Sequence, residues 1–166
     1  MQSDPPRVPH AFSSPSLSYD TPPNKQPYVR INTFFKKKPG ISYEYFVQHW
    51  HHVHADLVTS MKAFTDNNIV RYTQFFQTPE GREEAYKIGA PAMEWDACSE
   101  FLAEKVDDFA AFLKSEEYVN SLSDIDHFID KDGGMRVMIG YTNLVYGKTI
   151  EGMGKDGVLR EDLGKK

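Results

Sequence analysis

Residues 28–64 read YVRINTFFKKKPGISYEYFVQHWHHVHADLVTSMKAF, and two different periods meet in them. From Tyr28 to Lys37 side chains alternate as they do along a half-buried strand. Lys38-Pro39-Gly40 ends that strand, because proline fixes φ and glycine tolerates positive φ. The spacing then changes. Ser42 is a suitable N-cap, Glu44 falls in the first turn, and Phe46, Trp50, Val53, Leu57, Met61 and Phe64 recur at helical intervals. The stretch therefore predicts a strand, a turn and a helix from Ser42 to about Phe64.

Downstream, Asp66-Asn67-Asn68 is a turn signal and Ile69 to Gln77 (IVRYTQFFQ) a second strand rich in β-branched and aromatic residues. Pro79-Glu80-Gly81 closes it, and Arg82 to Pro91 reads as a polar loop or short helix. Trp95 to Phe101 is a short third strand. Val106 to Leu122 is a second helix, with Phe109, Phe112, Leu113, Tyr118 and Leu122 on its inner side. Asp132-Gly133-Gly134 opens a fourth strand, Met135 to Tyr146. The order β-α-β-β-α-β predicts an α+β fold of the ferredoxin-like type.

The fourth strand carries a further expectation. Val137, Ile139, Tyr141 and Val145 share one face, while Met138, Leu144 and Tyr146 share the other, so neither face is written for solvent. Two helices cover only one side of a four-stranded sheet. A second copy of the same sheet is the simplest cover for the other side, which predicts a homodimer.

At 166 residues, 40% of them hydrophobic, the chain has room for one domain and material for a core. Seven of the ten prolines lie at or before Pro27 in a Ser-rich stretch without hydrophobic periodicity. Residues 1–27 are accordingly expected to be a disordered arm, 28–148 the folded domain and 149–166 a tail. The arm is neutral in sum, so the net charge of -5 resides in the body. An acidic body offers no electrostatic footprint for nucleic acid. No apolar run is long enough to span a bilayer and no secretory signal opens the chain, which predicts a cytoplasmic protein without membrane association. The single cysteine, Cys98, has no partner for an intramolecular disulfide.

Two motif matches fail on context. Gly152-Met153-Gly154-Lys155-Asp156-Gly157 has the spacing of a dinucleotide-binding turn, but nine residues follow it, too few for a helix and a parallel strand. Gly147-Lys148-Thr149 lacks the first glycine of a phosphate loop, since Thr142 stands there.

Four of the six histidines lie in His49-Trp50-His51-His52-Val53-His54. On a regular α-helix Trp50 and Val53 fall inside the apolar stripe, His49 and His54 on its opposite flanks, and His51 and His52 toward solvent. A metal would use an i, i+3 pair such as His51 and His54, but no further residues complete a first shell. Half-buried, His54 is either a structural histidine or an imidazole placed to exchange a proton with a bound ligand. On the second strand Val70, Tyr72, Gln74 and Phe76 share a face. Tyr72 offers a phenol donor, Gln74 an amide, and Asp96 a carboxylate suited to orient an imidazole. Ordinary packing or turn roles account for each equally well. The many aromatics suit a flat apolar ligand, or simply a core.

Lys37-Lys38-Pro39-Gly40-Ile41-Ser42, Phe46-Val47-Gln48-His49-Trp50 and His54-Ala55-Asp56-Leu57 together resemble the signature of the EthD-domain family, F-x-x-[HY]-W-x-x-x-H-x-x-L on the first helix. More narrowly, Val70 to Gln74, Trp95-Asp96 with Glu100-Phe101, Phe112-Leu113, Glu117-Tyr118 and Asp126 to Asp130 look similar to fungal polyketide-tailoring decarboxylases of the atrochrysone carboxylic acid decarboxylase type. The resemblance spans about Tyr28 to Tyr146. It implies a dimeric α+β barrel with a ligand cavity between sheet and helices, and chemistry without metal, flavin or nicotinamide. The implied reaction is cofactor-free decarboxylation of an aromatic or β-keto polyketide acid in fungal secondary metabolism. The family histidine maps onto His54, expected as proton donor, and the motif tryptophan onto Trp50, expected as a wall of the site. Tyr72 is the expected donor to the developing oxyanion and Asp96 the partner of the imidazole. His49, Gln74 and Phe76 are expected to contact substrate. His127 departs from the family pattern, and nothing in the resemblance accounts for the proline-rich arm. Cyclisation or dehydration of a polyketide, cofactor-independent oxygenation, and non-catalytic polyketide binding use the same residues.

Overall fold

The computed structural model describes residues 5–162, which divide into two compact units: residues 28–141, and the flanking segments up to residue 27 and from residue 142 onward. In the larger unit the four strands are Lys25–Phe35 (β1), Ile69–Phe76 (β2), Ala97–Ala103 (β3) and Met135–Asn143 (β4), with β1 and β4 running past its limits. They form one sheet in the order β2-β3-β1-β4, and β3 pairs antiparallel with both β1 and β2. This is the ferredoxin-like α+β arrangement that the element order predicts.

The first helical segment is not one helix. It comprises Tyr43–Gln48 (α1), a π-helical turn at His49–His54, Ala55–Ser60 (α2) and Lys62–Asp66 (α3), with Met61 extended between the last two. Ser42 caps α1 as expected, its hydroxyl accepting from the Tyr45 amide at 3.0 Å. The π turn adds a residue to the helical repeat and shifts the buried stripe by one position. Val58 is only 1% exposed, whereas Leu57, expected inside, is 38% exposed and Val53 also faces out.

The other segments differ from the sequence reading at their edges. A bulge between Ile69 and Arg71 turns Ile69 inward and leaves Val70 exposed, which breaks the alternation expected to keep Val70 on one face with Tyr72. The segment after β2 folds as Pro79–Lys87 (α4), capped by Thr78, whose hydroxyl accepts from Gly81 N at 2.9 Å. The second long helix breaks at Ser115 into Val106–Lys114 (α5) and Glu116–Ser121 (α6), because Ser115 is extended and caps α6 through Tyr118 N. A 3-10 segment, Leu122–His127, follows.

Two aromatic-rich cores lie on the helical side of the sheet. One gathers Ile31, Val58, Phe101, Phe109 and Phe112; the other gathers Phe35, Phe46, Trp50 and Phe128. Phe35 meets the Trp50 ring edge-on at 5.0 Å, which fixes the π turn against the sheet. On the opposite face Phe75 is 67% exposed and Met138 59%. They belong to β2 and β4, the two edge strands.

In the smaller unit, Pro15–Leu17 forms a 3-10 turn, and Asn24 Nδ2 donates to the carbonyls of Leu144, Lys155 and Asp156. Gln26 is buried and donates to Lys155 O at 3.0 Å. Tyr146 and Val158 form a parallel bridge. These cross-links join segments far apart in sequence. Among the described residues, no helix is long and apolar enough to cross a membrane.

Candidate active site

The π turn places the two flanking histidines together. On an α-helix residues five apart point about 140° away from one another. In a π turn the hydrogen bond runs between just such residues, here from Ala55 N to Trp50 O, so His49 and His54 come to one side. Both reach Asp124 on the 3-10 segment: His49 Nε2 lies 2.8 Å from Oδ1 and His54 Nδ1 2.9 Å from Oδ2. All three side chains are nearly buried, at 13%, 13% and 10% exposure. A carboxylate only accepts hydrogen bonds, so the nitrogens facing it carry the hydrogens.

Holding its proton on Nδ1 leaves neutral His54 with a lone pair on Nε2. His54 also lines a cavity of about 350 Å³ on the helical side of the sheet. Burial lowers its pKa below the ordinary histidine value, while hydrogen bonding and charge from Asp124 act in the opposite direction. The ring rests against Phe128, with centroids 5.1 Å apart.

The cavity is apolar over most of its wall, with Phe35, Trp50, Phe101, Phe109 and Phe128 prominent. Its polar side chains are His54, Thr33, Ser99 and Tyr118, and among the described residues no lysine, arginine or carboxylate lines it. Burial raises the pKa of the Tyr118 phenol, which keeps it a hydrogen-bond donor. Met135, Val137 and Ile139 of β4 complete the wall and are partly open to solvent.

The expected site residues are distributed unevenly around this cavity. His54 and Trp50 line it, whereas Tyr72, Gln74, Phe76, His49 and Asp96 do not. Tyr72 stacks on Phe101, with centroids 4.5 Å apart, and its hydroxyl accepts from Gln74 Nε2 at 2.9 Å. Burial pushes this phenol up, and the Gln74 bond works against the rise. Gln74 Nε2 also donates to Trp50 O at 2.8 Å, the carbonyl that receives the π-type bond. It thus ties β2 to the histidine turn. Phe76 packs on Trp50 at 4.5 Å.

Asp96 belongs elsewhere in the fold. Its Oδ2 accepts from Lys37 N at 2.8 Å and its Oδ1 pairs with Arg82 at 2.7 Å, joining the ends of β1 and α4 before β3. The carboxylate that meets the imidazole is Asp124. Sequence reasoning passed over Asp124 because it lies in a connecting segment with Asp126 and Asp130 nearby and no periodicity to single it out. Tyr118, on the inner side of the helix by its spacing, follows the break at Ser115 and lines the cavity. Cys98 lies on the opposite face of the sheet from the cavity-lining Ser99; burial pushes its thiol up to about 11, which keeps it protonated.

Residues 38–132 match the model of the EthD domain. Hydroxynitrile lyase from Passiflora edulis superposes with a TM-score of 0.50 at 15% identity, over 76% of this chain and 100% of that one. An ethyl tert-butyl ether d (EthD) family protein from Bacillus halodurans gives 0.44 at 14% identity, over 68% and 96%. A dimeric ferredoxin-like protein from Bacteroides fragilis gives 0.47 at 11%, over 71% and 99%. No curated protein matches in sequence. The match spans more than half of the chain, including the histidine turn, Tyr118 and Asp124, and the chain belongs to the EthD domain family.

Proposed function

We propose that the protein is a cofactor-free decarboxylase of an aromatic or β-keto polyketide carboxylic acid, with His54 as its proton-transferring group. The observation that carries this reading is the placement of His54, backed by Asp124, as the one imidazole among the described residues that line an apolar cavity. A carboxylate entering this cavity leaves water without meeting lysine or arginine. Desolvation raises its energy relative to the enolate formed when carbon dioxide leaves, in which charge is more widely spread. The same incoming anion favours proton uptake by His54 at Nε2.

The carbon–carbon bond then breaks, its electron pair passes into the carbonyl to form the enolate, and carbon dioxide departs. Nε2 returns its proton to carbon, and one further proton restores the cycle. Tyr118, Thr33 and Ser99 are the hydroxyl donors available to the enolate oxygen. Trp50 and Phe128 give the ring of a flat substrate its walls. Tyr72, held by Gln74 behind Phe101, supports the wall in this reading.

The test is incubation of the purified protein, with chelator present, with a panel of aromatic polyketide acids, followed by mass analysis. Loss of carbon dioxide is expected, with turnover falling on the order of 100 to 10,000-fold in His54→Ala. Near wild-type turnover in that variant removes the assignment. A second reading, polyketide cyclisation or dehydration, is favoured by the lowered pKa of His54, which makes Nε2 a base before substrate arrives. A product that has lost water, or that is isomeric with the substrate, selects it. Binding of the acid with no change in mass selects a role as a binding protein.

The reading includes a homodimer. Exposed Phe75 and Met138 lie at opposite edges of the sheet face turned away from the cavity, and a second copy of that face is a self-complementary cover.

A further inference from the structure

We propose that His49 is a positioning residue that acts on His54 through Asp124, so that two imidazoles share one carboxylate and the site stores one proton rather than two. The inference rests on His54 being the proton-transferring group, and extends it to a residue outside the cavity. His49 occupies Oδ1 of Asp124 at 2.8 Å and leaves Oδ2 to His54 at 2.9 Å. With one oxygen fixed, the carboxylate plane is set, and the hydrogen on His54 Nδ1 has one acceptor direction. Nε2 is thereby aimed away from Asp124.

The sharing also has an electrostatic consequence. One negative charge between two imidazoles offsets one positive charge. A proton on His49 makes protonation of His54 harder, in the same sense as the lowering that His49 contributes to the His54 pKa. The surroundings reinforce the pairing. Tyr45 of α1 stacks on His49 at 5.8 Å, His127 approaches it at 5.3 Å, and Phe128 contacts both His49 and His54 at 5.4 and 5.1 Å. The titratable groups facing the pair are thus Asp124 and His127 from the 3-10 segment, Tyr45 from α1 and Tyr118 across the cavity. His51 and His52 point to solvent and meet edge-on.

The experiment is an NMR titration of histidine side-chain nitrogens in the full-length protein, comparing wild type with His49→Gln. Glutamine keeps a neutral amide donor toward Asp124 and removes the competing positive charge. The expected result is a His54 resonance with the hydrogen on Nδ1 in both proteins, and a His54 titration displaced upward in the variant. A titration that stays in place or moves downward overturns the proposal. If His49→Gln fails to fold, His49→Asn is read by the same criterion. No substrate is involved, so the shared proton can fail while decarboxylation stands, and the product assay can fail while the titration behaves as expected.

Discussion

His54 Nδ1 lies 2.9 Å from Asp124 Oδ2, which joins a helix near the start of the domain to a short 3-10 segment seventy residues later. Asp124→Asn removes the negative charge while keeping the shape. An amide keeps one acceptor but turns the other position into a donor, so one of the two imidazoles on it must flip or change tautomer and the shared arrangement is lost. Turnover is expected to fall by at least about 100-fold with little change in substrate affinity. Mass-detected initial rates across substrate concentration provide the check, and a rise in KM with unchanged kcat would contradict this role.

Acid should weaken the fold through the same histidine. Burial lowers the folded-state pKa of His54 below its unfolded value, so the unfolded chain binds a proton more readily. The contribution of neutral His54 is complete above the unfolded value and is lost as pH falls from there through the lower folded pKa. Urea unfolding of wild type and His54→Gln at about pH 7.5 and about pH 5 isolates this effect. The wild type is expected to lose more stability on acidification than the variant. Equal losses would place the acid sensitivity on other groups.

Gln74 links the sheet to the histidine turn, since one amide nitrogen donates to both Trp50 O and the Tyr72 hydroxyl. Gln74→Leu removes two bonds at once from partly buried acceptors. A loss of about 1–3 kcal/mol in unfolding free energy is expected by denaturant titration. Activity should fall as well, because Trp50 O also receives the π-type bond from Ala55. A variant with wild-type stability and rate would show that Phe35, Phe76 and Asp124 hold the turn without Gln74.

The fold was legible because alternation in Tyr28 to Lys37 and a helical stripe beginning at Phe46 are local signals with few competing readings. The pairing of His49 with His54 was not. Sequence periodicity assumes 3.6 residues per turn, and on that assumption these side chains diverge. The π turn rests on non-local partners, including Gln74 and the carboxylate of Asp124, so no residue within the turn announces it. Asp96 illustrates the converse error. A carboxylate beside a tryptophan suggests a site, yet its two oxygens go to Lys37 N and Arg82 in joining β1 to α4. Trp50 and His54 were recognisable from their motif, while Tyr118 and Asp124 required the chain to close.

The sheet face opposite the helices makes the final prediction. Phe75 on β2 and Met138 on β4 mark opposite edges of that face, at 67% and 59% exposure. Large apolar side chains exposed at the two edges of one face are costly in water and fit a self-complementary interface, in which each copy covers both edges of the other. A lysine at each edge would place like charges in such an interface without entering the core of a single copy. Phe75→Lys with Met138→Lys is therefore expected to sediment at the mass of one chain, with an unchanged circular dichroism spectrum, while wild type sediments at twice that mass. A wild-type protein that stays at the single-chain mass at high micromolar concentration would show that this face serves another purpose. Because Val137 and Ile139 point from the same strand into the cavity wall, the double variant should also bind substrate more weakly if pairing steadies β4. Titration of the substrate acid against both proteins separates that effect from the change in assembly.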